Sequence, residues 1–279
     1  MQVSVIISTY NAPDWLEKVL WGFSVQTHQD FELLVADDGS TAETAHRIDR
    51  LRAATYMQIR HIWHEDRGFR KCTILNRALD AAASQYVVVT DGDFIPRRDF
   101  VATHVRHSAP NQMLSGGALR LPMELSHKIT KADILAGRAT DPRWLIANGL
   151  GWNKKLPLLT RGSRLATFLD LITTTRATWN GLNASAAKSD LVRANGFDER
   201  MQYGGLDREL GERLMNAGLS TRQIRHRAVG VHLDHARDYV NEQALRRNRS
   251  IRAHTRRQKI VRTLYGIKKY ALPPEARAA

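Results

Sequence analysis

The sequence has few cysteines, few acidic side chains and no long hydrophobic run. Cys72 is the single cysteine in 279 residues, which excludes an internal disulfide framework and favours a reducing compartment. No run of about 18 or more apolar residues is present, so the sequence predicts no membrane-spanning helix. The first residues lack a basic stretch followed by a long apolar one, which indicates no secretory signal. We therefore expect a cytoplasmic protein.

Acidic residues are outnumbered by basic ones, and the excess lies mostly near the C-terminus. The chain has 42 Lys and Arg against 28 Asp and Glu, a formal net charge of +14, and residues 237–270 hold eleven basic residues and two acidic ones. Ile260, Leu264 and Ile267 recur there at helical spacing, which predicts a helix with an apolar stripe between basic residues. Two interpretations are open: a terminal helix packed on the protein, or a helix that lies on an anionic membrane or acceptor.

The order of elements indicates the fold class. Hydrophobic residues make up 43% of the chain, an ordinary globular proportion that excludes wholesale disorder. Apolar runs at 3–10, 31–36, 57–63 and 86–90 predict strands, and segments of helical periodicity lie between them. Residues 110–178 are less regular, and helical periodicity returns at 186–194 and 207–217. This alternation predicts a doubly wound, mostly parallel α/β sheet, in which ligands bind at the carboxyl ends of the strands.

Two of the predicted strands end in acidic turns. Asp91-Gly92-Asp93 follows an apolar strand directly, and two carboxylates on a tight turn can hold a divalent cation that in turn holds phosphates. Ordinary turns also contain this pattern. The other acidic turn begins with Asp37 and Asp38, which favour either a turn that caps the next helix or a carboxylate that accepts hydrogen bonds from a nucleoside.

The second half of the chain carries two further candidate motifs. His232 and His235 are three residues apart, a common metal-ligand spacing, and together with carboxylates they suit Mn²⁺ or Mg²⁺ better than Zn²⁺. Gly204, Gly205 and Asp207 lie at the start of a predicted helix. Asp207 is either an acid that complements the helix dipole or a general base beside a glycine turn that admits a substrate.

Together and in this order, these motifs resemble the inverting family 2 glycosyltransferases of the GT-A fold. The strand at 3–11 and the two acidic turns resemble the donor-binding half of that family. The second half resembles the C-terminal region that family 7 galactosyltransferases share with bacterial chondroitin-type polymerases. The matching landmarks are residues 180–183, 195–199, 204–207 and 232–235, and residues 67–71 with Asn76 resemble a uridine and phosphate segment of the same group.

The resemblance implies a role for each matching residue. The expected nucleotide-sugar contacts are Thr9, Tyr10, Asn11, Asp38, Phe69, Arg70, Lys71, Asn76, Asp91 and Gly92. The expected ligands of a Mn²⁺ or Mg²⁺ ion are Asp93, His232 and His235, and the expected general base is Asp207. The expected acceptor contacts are Trp179, Asn180, Asn183, Gly204, Gly205 and Glu209. The family's usual Glu-Asp pair is Leu206-Asp207 here, so Glu209 compensates for the absent Glu or the acceptor is held differently.

The function that the resemblance implies is an inverting, metal-dependent sugar transfer. The expected donor is a nucleoside-diphosphate sugar, with a UDP-sugar preferred. The expected acceptor is a glycan or lipid-linked glycan of bacterial surface polysaccharide synthesis, such as lipopolysaccharide or capsule.

The expected organisation has a nucleotide-sugar-binding half at 1–107 and an acceptor-binding and catalytic half of the same domain at 108–240. A basic helical extension follows at 241–279, in which residues 243–270 would contact an anionic membrane surface and make the protein peripheral on the inner face of the cell membrane.

Two alternatives are a nucleic-acid-binding basic protein and a nucleotidyltransferase of similar fold. The acids at the strand ends and the few aromatic residues in the basic segment argue against the first, so no nucleic acid partner is expected. Residues 195–199 and the two histidines argue against the second.

Overall fold

The computed structural model describes residues 1–151, 153–160, 163–236 and 240–268. The strands within these residues are β1 Val3–Thr9, β2 Phe31–Asp37, β3 Gln58–Trp63, β4 Tyr86–Asp91, β5 Phe94–Pro96, β6 Gln112–Ser115, β7 Gly117–Arg120, β8 Asn183–Ala187, β9 Ser220–Gln223 and β10 Val229–His232. The α-helices are α1 Pro13–Ser24, α2 Ala42–Ala54, α3 Lys71–Ala81, α4 Phe100–His107, α5 Met123–Lys128, α6 Lys131–Leu135, α7 Pro142–Ala147, α8 Ser163–Ile172, α9 Lys188–Arg193, α10 Leu206–Asn216 and α11 Glu242–Arg257.

The strands form a large sheet of order β3-β2-β1-β4-β8-β6-β9 and a small one of order β5-β10-β7. In the large sheet β1 pairs in parallel with β2 and β4, and β2 with β3. Only β8 runs against its neighbours β4 and β6. The predicted doubly wound, mostly parallel sheet is therefore confirmed.

Strand β1 has an almost continuous apolar sequence because both of its faces are buried. Val5 and Ile7 pack in one hydrophobic core with Leu16 of α1, whereas Ile6 packs in a second core with Leu75 of α3. Successive side chains of a strand point to opposite faces, so the two cores lie on opposite sides of the sheet.

The sequence-based expectation of a helix from residue 186 missed strand β8. Residues 183–187 are Asn-Ala-Ser-Ala-Ala, which carry little intrinsic preference for a strand. The segment is extended because it pairs with β4 on one side and with β6 on the other. The helix that follows, α9, is consequently shorter than predicted.

The expected helix at the C-terminus also ends early. Helix α11 stops at Arg257, and Lys259 adopts a left-handed conformation with a φ of 52°. The helical stripe predicted across residues 260–267 was therefore wrong. Residues 237–239, 269 and 270 of the predicted basic segment lie outside the described residues.

The segment after α11 is fastened to the protein by Asn195. The side-chain amide of Asn195 donates to the carbonyl oxygens of Thr263 and Lys268, at 2.8 and 3.0 Å. Its oxygen accepts a hydrogen bond from the Lys268 backbone N–H at 2.9 Å. Residues 241–268 thus pack on the residues around α9 and α10 rather than standing apart from them.

Among the helices that the described ranges contain, none combines the length and the apolar character needed to cross a membrane.

Candidate active site

Parallel pairing brings the two acidic turns to one edge of the large sheet. In the register of β1, Thr9 lies opposite Asp37 and Ser8 lies opposite Asp91. The Gly92 backbone N–H donates to the Ser8 carbonyl oxygen at 2.7 Å, and an added Cβ on Gly92 would lie 3.0 Å from that oxygen. A larger residue would push the turn away from β1, so glycine keeps Asp91 and Asp93 at the strand edge.

The two neighbouring carboxylates Asp37 and Asp38 have different surroundings. Asp37 is fully buried and accepts hydrogen bonds from the Ser40 backbone N–H and from His61 Nε2, both at 2.8 Å. Asp38 is 6% exposed and accepts from His64 Nε2 at 2.7 Å and from the Arg70 backbone N–H at 2.9 Å. Burial raises the pKa of Asp38 although both hydrogen bonds oppose this. Asp38 therefore links the sheet edge to the loop at 64–70.

Lys71 lies against Asp91 and gives this edge a fixed positive charge. Its ammonium is 2.7 Å from Asp91 Oδ1, and Ser8 Oγ donates to the same oxygen at 2.7 Å. Burial disfavours the Lys71 charge, but Asp91 and Asp207 outweigh it and hold the pKa of Lys71 above its usual value. Burial also disfavours the Asp91 carboxylate, but Lys71 and Ser8 lower its pKa below the ordinary range. At neutral pH both groups are ionised.

Asp93, His232 and His235 come together as the sequence predicted. Strand β10 pairs antiparallel with β5, which places His232 opposite Phe94, and the Leu233 backbone N–H donates to the Asp93 carbonyl oxygen at 2.8 Å. His235 Nε2 lies 3.0 Å from Asp93 Oδ2, and His232 Nε2 lies 3.5 Å from Asp93 Oδ1. The three candidate ligand atoms are within 4.8 Å of one another.

The hydrogen bonds around this cluster fit a bound cation. His235 Nδ1 lies 2.7 Å from the Ala236 carbonyl oxygen, which only a protonated Nδ1 can satisfy. In neutral imidazole this leaves a bare Nε2 facing a carboxylate oxygen at 3.0 Å, an arrangement that requires a cation between the two, either a proton or a metal ion. Among the described residues, buried Asp93 Oδ1 and His232 Nδ1 have no hydrogen-bond partner. One oxygen and two nitrogen ligands with open positions suit Mn²⁺.

Asp207 lies in the first turn of α10, behind a glycine turn. Gly205 precedes the helix with a φ of 86°, which a residue without a Cβ adopts readily. A Cβ on Gly181 would come within 2.2 Å of Asp207 Oδ1, so glycine there makes room for the carboxylate. Burial raises the pKa of Asp207 to about 6, and Lys71 limits the rise while Asp91 adds to it. Among the described residues, Asp207 Oδ1 is a buried oxygen without a hydrogen-bond partner.

A cleft of about 420 Å³ opens beside Asp207. Trp179, Asn180 and Gly205, all predicted as acceptor contacts, line it. The indole N–H of Trp179 is buried and has no acceptor within the part of the chain that is described. The cleft therefore lies beside the unpaired oxygen of Asp207.

Other predicted nucleotide contacts lie at the sheet edge or in the loop beside it. Thr9 is 8% exposed, and its hydroxyl has no partner among the described residues. Asn11 has a φ of 44° and accepts a hydrogen bond from the Thr41 backbone N–H at 3.0 Å. Phe69 is half-buried, and its ring contacts that of Tyr203 edge to face with ring centres 6.5 Å apart. This contact joins the loop at 64–70 to the turn before Asp207. Tyr10 is half-exposed, and its hydroxyl donates to Asp66.

Two predicted site residues, Asn76 and Asn183, are buried and their amides are used inside the protein. Asn76 donates to the Phe197 carbonyl oxygen and to Glu199 at 2.9 and 3.0 Å, and accepts from the Phe197 N–H at 2.7 Å. Asn183 donates to two backbone carbonyls at 2.9 and 3.0 Å. Neither amide faces a substrate cleft, so both residues hold the scaffold.

Glu209 does not compensate for the absent acidic residue at position 206. It is 1% exposed, its carboxylate forms paired hydrogen bonds with Arg213, and it accepts from the Thr255 hydroxyl at 2.9 Å. Leu206 is itself 4% exposed and packs in the second hydrophobic core. Any acceptor must therefore be held by other side chains.

The sequence reasoning missed a buried residue of α11 that supports this site. Asn248 is fully buried, and its amide nitrogen lies 2.9 to 3.1 Å from the carbonyl oxygens of residues 202, 203 and 204, in the glycine turn before Asp207. The sequence pattern that could have predicted its burial is the helical spacing of Ala244, Asn248, Ile251 and Thr255. This stripe is partly polar, so a search for apolar residues alone overlooks it.

Comparisons with known proteins agree with this geometry. A family model described as Glycosyl transferase family 2 matches residues 4–116. Chondroitin synthase of Escherichia coli is 29% identical over 231 residues, which is 80% of this chain and 33% of that protein. Validoxylamine A glucosyltransferase of Streptomyces hygroscopicus subsp. jinggangensis is 28% identical over 276 residues, 90% of this chain and 61% of that protein. The chain thus spans a third to three fifths of the length of these relatives.

Solved structures share the fold. The mannosyltransferase PcManGT from Pyrobaculum calidifontis, in complex with GDP-Man and Mn²⁺, superposes with a TM-score of 0.56 at 22% identity over 85% of this chain and 58% of that chain. S. aureus TarS 1-349 in complex with UDP gives a TM-score of 0.60 at 16% identity over 93% of this chain and 68% of that chain. At such identities the likeness concerns the arrangement of strands and helices, which is that of GT-A glycosyltransferases.

Proposed function

Because residues 4–116 match the family model of the family 2 glycosyltransferases, we propose that the protein transfers a sugar from a nucleoside-diphosphate sugar to a hydroxyl group of a glycan acceptor. The observation that carries the proposal is Asp207, a partly buried carboxylate with a pKa of about 6 and an unpaired buried oxygen, in a cleft next to the acidic sheet edge. We prefer a UDP-sugar as donor, in line with the UDP complex of TarS.

The donor nucleotide would lie along the edge formed by β1, β2 and β4. Thr9 and Asp38 would meet the nucleoside, and Phe69 would flank the base. Lys71 would keep its charge near the diphosphate through its contact with Asp91. Asp93, His232 and His235 would hold a Mn²⁺ or Mg²⁺ ion, which when bound offsets the negative charge of the departing nucleoside diphosphate.

Asp207 would act on the acceptor. The acceptor hydroxyl donates its proton to the unpaired Asp207 oxygen while the hydroxyl oxygen forms a bond to the anomeric carbon, and the bond from that carbon to the diphosphate breaks. A single displacement of this kind inverts the configuration at the anomeric carbon.

The place of the reaction is also a proposal. We infer an acceptor among bacterial surface polysaccharides, such as lipopolysaccharide or capsule, or a lipid-linked glycan, because a polymer synthase from E. coli is similar over most of the chain. The exposed arginines of α11 would hold the protein at an anionic inner membrane surface.

The proposal is tested with two active-site variants and one matched control. Asp207→Asn removes the base and should reduce sugar transfer at least about a hundredfold, while binding of UDP with Mn²⁺ stays near the wild-type value. Asp93→Ala should abolish the Mn²⁺ dependence of UDP binding, measured by isothermal titration. The control is Asp80→Asn, an exposed acid on α3, which should change neither quantity. Transfer by Asp207→Asn at the wild-type rate would overturn the assignment of the base.

A further inference from the structure

The cleft beside Asp207 is lined by an unusual set of charges. Its charged lining residues are one acid, Asp207, and the basic residues Arg120, Lys155, Arg176, Arg208 and Arg225. The remaining lining residues are uncharged. A concave surface with one sign of charge concentrates ligands of the opposite charge.

These basic side chains are not neutralised by the protein. Within the described residues, no carboxylate lies within ion-pair distance of any of them, and Arg225 donates only to the Thr175 hydroxyl. Two arginines of α11 have carboxylate partners instead: Arg252 and Arg256 both pair with Glu212, at 2.6 and 3.0 Å. The cleft thus gathers five basic side chains without ion-pair partners around the proposed base.

The cleft is separate from the nucleotide edge. All of its lining residues lie between positions 115 and 225, and none belongs to β1, β2 or β4. Arg120 is the register partner of His232 in β7 and β10, so it lies at the end of the cleft nearest the proposed metal ligands. The other four basic residues come from the segments around 155, 176, 208 and 225. They are available to a ligand other than the donor nucleotide.

We propose, on the premise of the proposed function, that this cleft binds an acceptor saccharide bearing an anionic group, a carboxylate or a phosphate. Arg176, Arg208 and Arg225 hold the anionic group, and a neighbouring hydroxyl of the same acceptor reaches Asp207. This also accounts for Leu206 and the buried Glu209, because a cationic cleft binds an anionic acceptor without an additional acidic side chain. The cleft volume of about 420 Å³ suits a short saccharide segment.

The experiment compares charged saccharides with their neutral counterparts. The probes are tetragalacturonate and its methyl ester, and a mannotetraose phosphorylated at its terminal residue and the same compound without phosphate. Binding is measured by isothermal titration with wild-type protein, Arg176→Gln and Arg208→Gln, and with Arg249→Gln as a control that removes one exposed arginine of α11 outside the cleft.

At least one charged probe should bind about tenfold more tightly than its neutral partner. Arg176→Gln and Arg208→Gln should each remove most of that difference, whereas Arg249→Gln should keep it. The preferred charged probe distinguishes a carboxylate from a phosphate. Equal affinity for charged and neutral probes would overturn the proposal, as would equal losses in all three variants or tighter binding of an eight-nucleotide oligothymidylate.

Binding of UDP with Mn²⁺ is measured in the same variants and separates this proposal from the proposed function. Unchanged UDP binding without any preference for charged saccharides overturns the anionic acceptor alone. If the wild-type protein does not bind UDP with Mn²⁺, the glycosyltransferase proposal is overturned. The saccharide titrations still measure whether the cleft prefers anionic ligands.

Discussion

At the scale of single residues, Asp207 combines two properties that a general base needs. Burial raises its pKa to about 6, so it holds a proton more tightly than an ordinary aspartate and is still mostly ionised at neutral pH. Lys71 limits the rise and is itself held by Asp91. The proton affinity of this proposed base is therefore set by a buried charge network rather than by Asp207 alone.

The first prediction concerns the pH dependence of transfer. Because the base acts in its ionised form, kcat/KM should be level above a pH of about 6.5 and fall about tenfold for each pH unit well below 6. A pH profile of kcat/KM with saturating Mn²⁺ measures this. An acidic limb near the ordinary aspartate pKa of about 4 would contradict the assignment.

The second prediction concerns stability, because a carboxylate with a raised pKa destabilises the folded protein once it ionises. The folded state binds the proton more tightly than the unfolded state, so the free energy of unfolding falls as the pH rises from about 4 to about 6 and this loss then stays constant. Asp207→Asn cannot ionise, so it removes this loss of unfolding free energy. The variant should be more stable than wild type by up to about 2 kcal/mol at pH 8, and this gain should vanish near pH 4. Thermal melting at both pH values measures the difference, and a gain of the same size at pH 4 would contradict it.

At the scale of elements, α10 and α11 act as a pair. Thr255 of α11 hydrogen-bonds to Glu209, and Asn248 holds the glycine turn before Asp207. Glu212 of α10, 8% exposed, pairs with Arg252 and Arg256. One face of the basic helix therefore packs on the protein, the first of the two interpretations left open by the sequence, and positions the helix of the proposed base.

The third prediction compares two glutamates. Glu212→Gln leaves two arginines without their partly buried partner and should lower the free energy of unfolding by about 2 kcal/mol. Glu242→Gln removes an exposed pair with Arg246 at 3.4 Å and should have little effect, since such pairs contribute little. Urea denaturation measures both, and equal losses would show that α11 is not held through Glu212.

At the scale of the whole molecule, two parts of the surface contribute strongly to the net charge of +14. One part is the cleft beside Asp207. The other is the outer face of α11, where the exposed basic residues without a partner on α10 are Arg246, Arg247, Arg249 and Arg257. Because these arginines lie on the face away from α10, they are available to an anionic surface.

The fourth prediction concerns membrane binding. The protein should co-sediment with vesicles containing anionic lipid and not with neutral ones, and about 500 mM NaCl should release it because salt screens exposed charges. The triple variant Arg246→Gln, Arg247→Gln, Arg249→Gln should bind about a hundredfold more weakly, at about 1 kcal/mol for each charge. The matched control replaces the exposed Arg50, Arg77 and Arg106 by Gln, and a similar loss in the control would show that only net charge matters.

Features of the fold and site that depend on neighbouring residues were predictable from the sequence, whereas those that depend on contacts between distant elements were not. The sheet and the ends of β2 and β4 followed from local patterns, because a β-branched apolar run and the turn after it are recognisable within a few residues. The grouping of Asp93 with two histidines far along the chain followed from the family resemblance. The buried hydrogen bonds of Asn76 and Asn183 could not be predicted because their partners lie on other elements, such as residues 197 and 199 for Asn76. Strand β8 was missed because only its neighbours make it extended.

The sequence by itself determined the doubly wound order, the acidic turns and the excess of positive charge, since these depend on residue type and spacing. Only the tertiary structure decided that Asp207 is buried beside Lys71, that α11 braces α10, and that basic side chains from five separate segments line one cleft without ion-pair partners. Burial and pairing of a charge depend on every element packed around it, and sequence spacing does not record which elements those are.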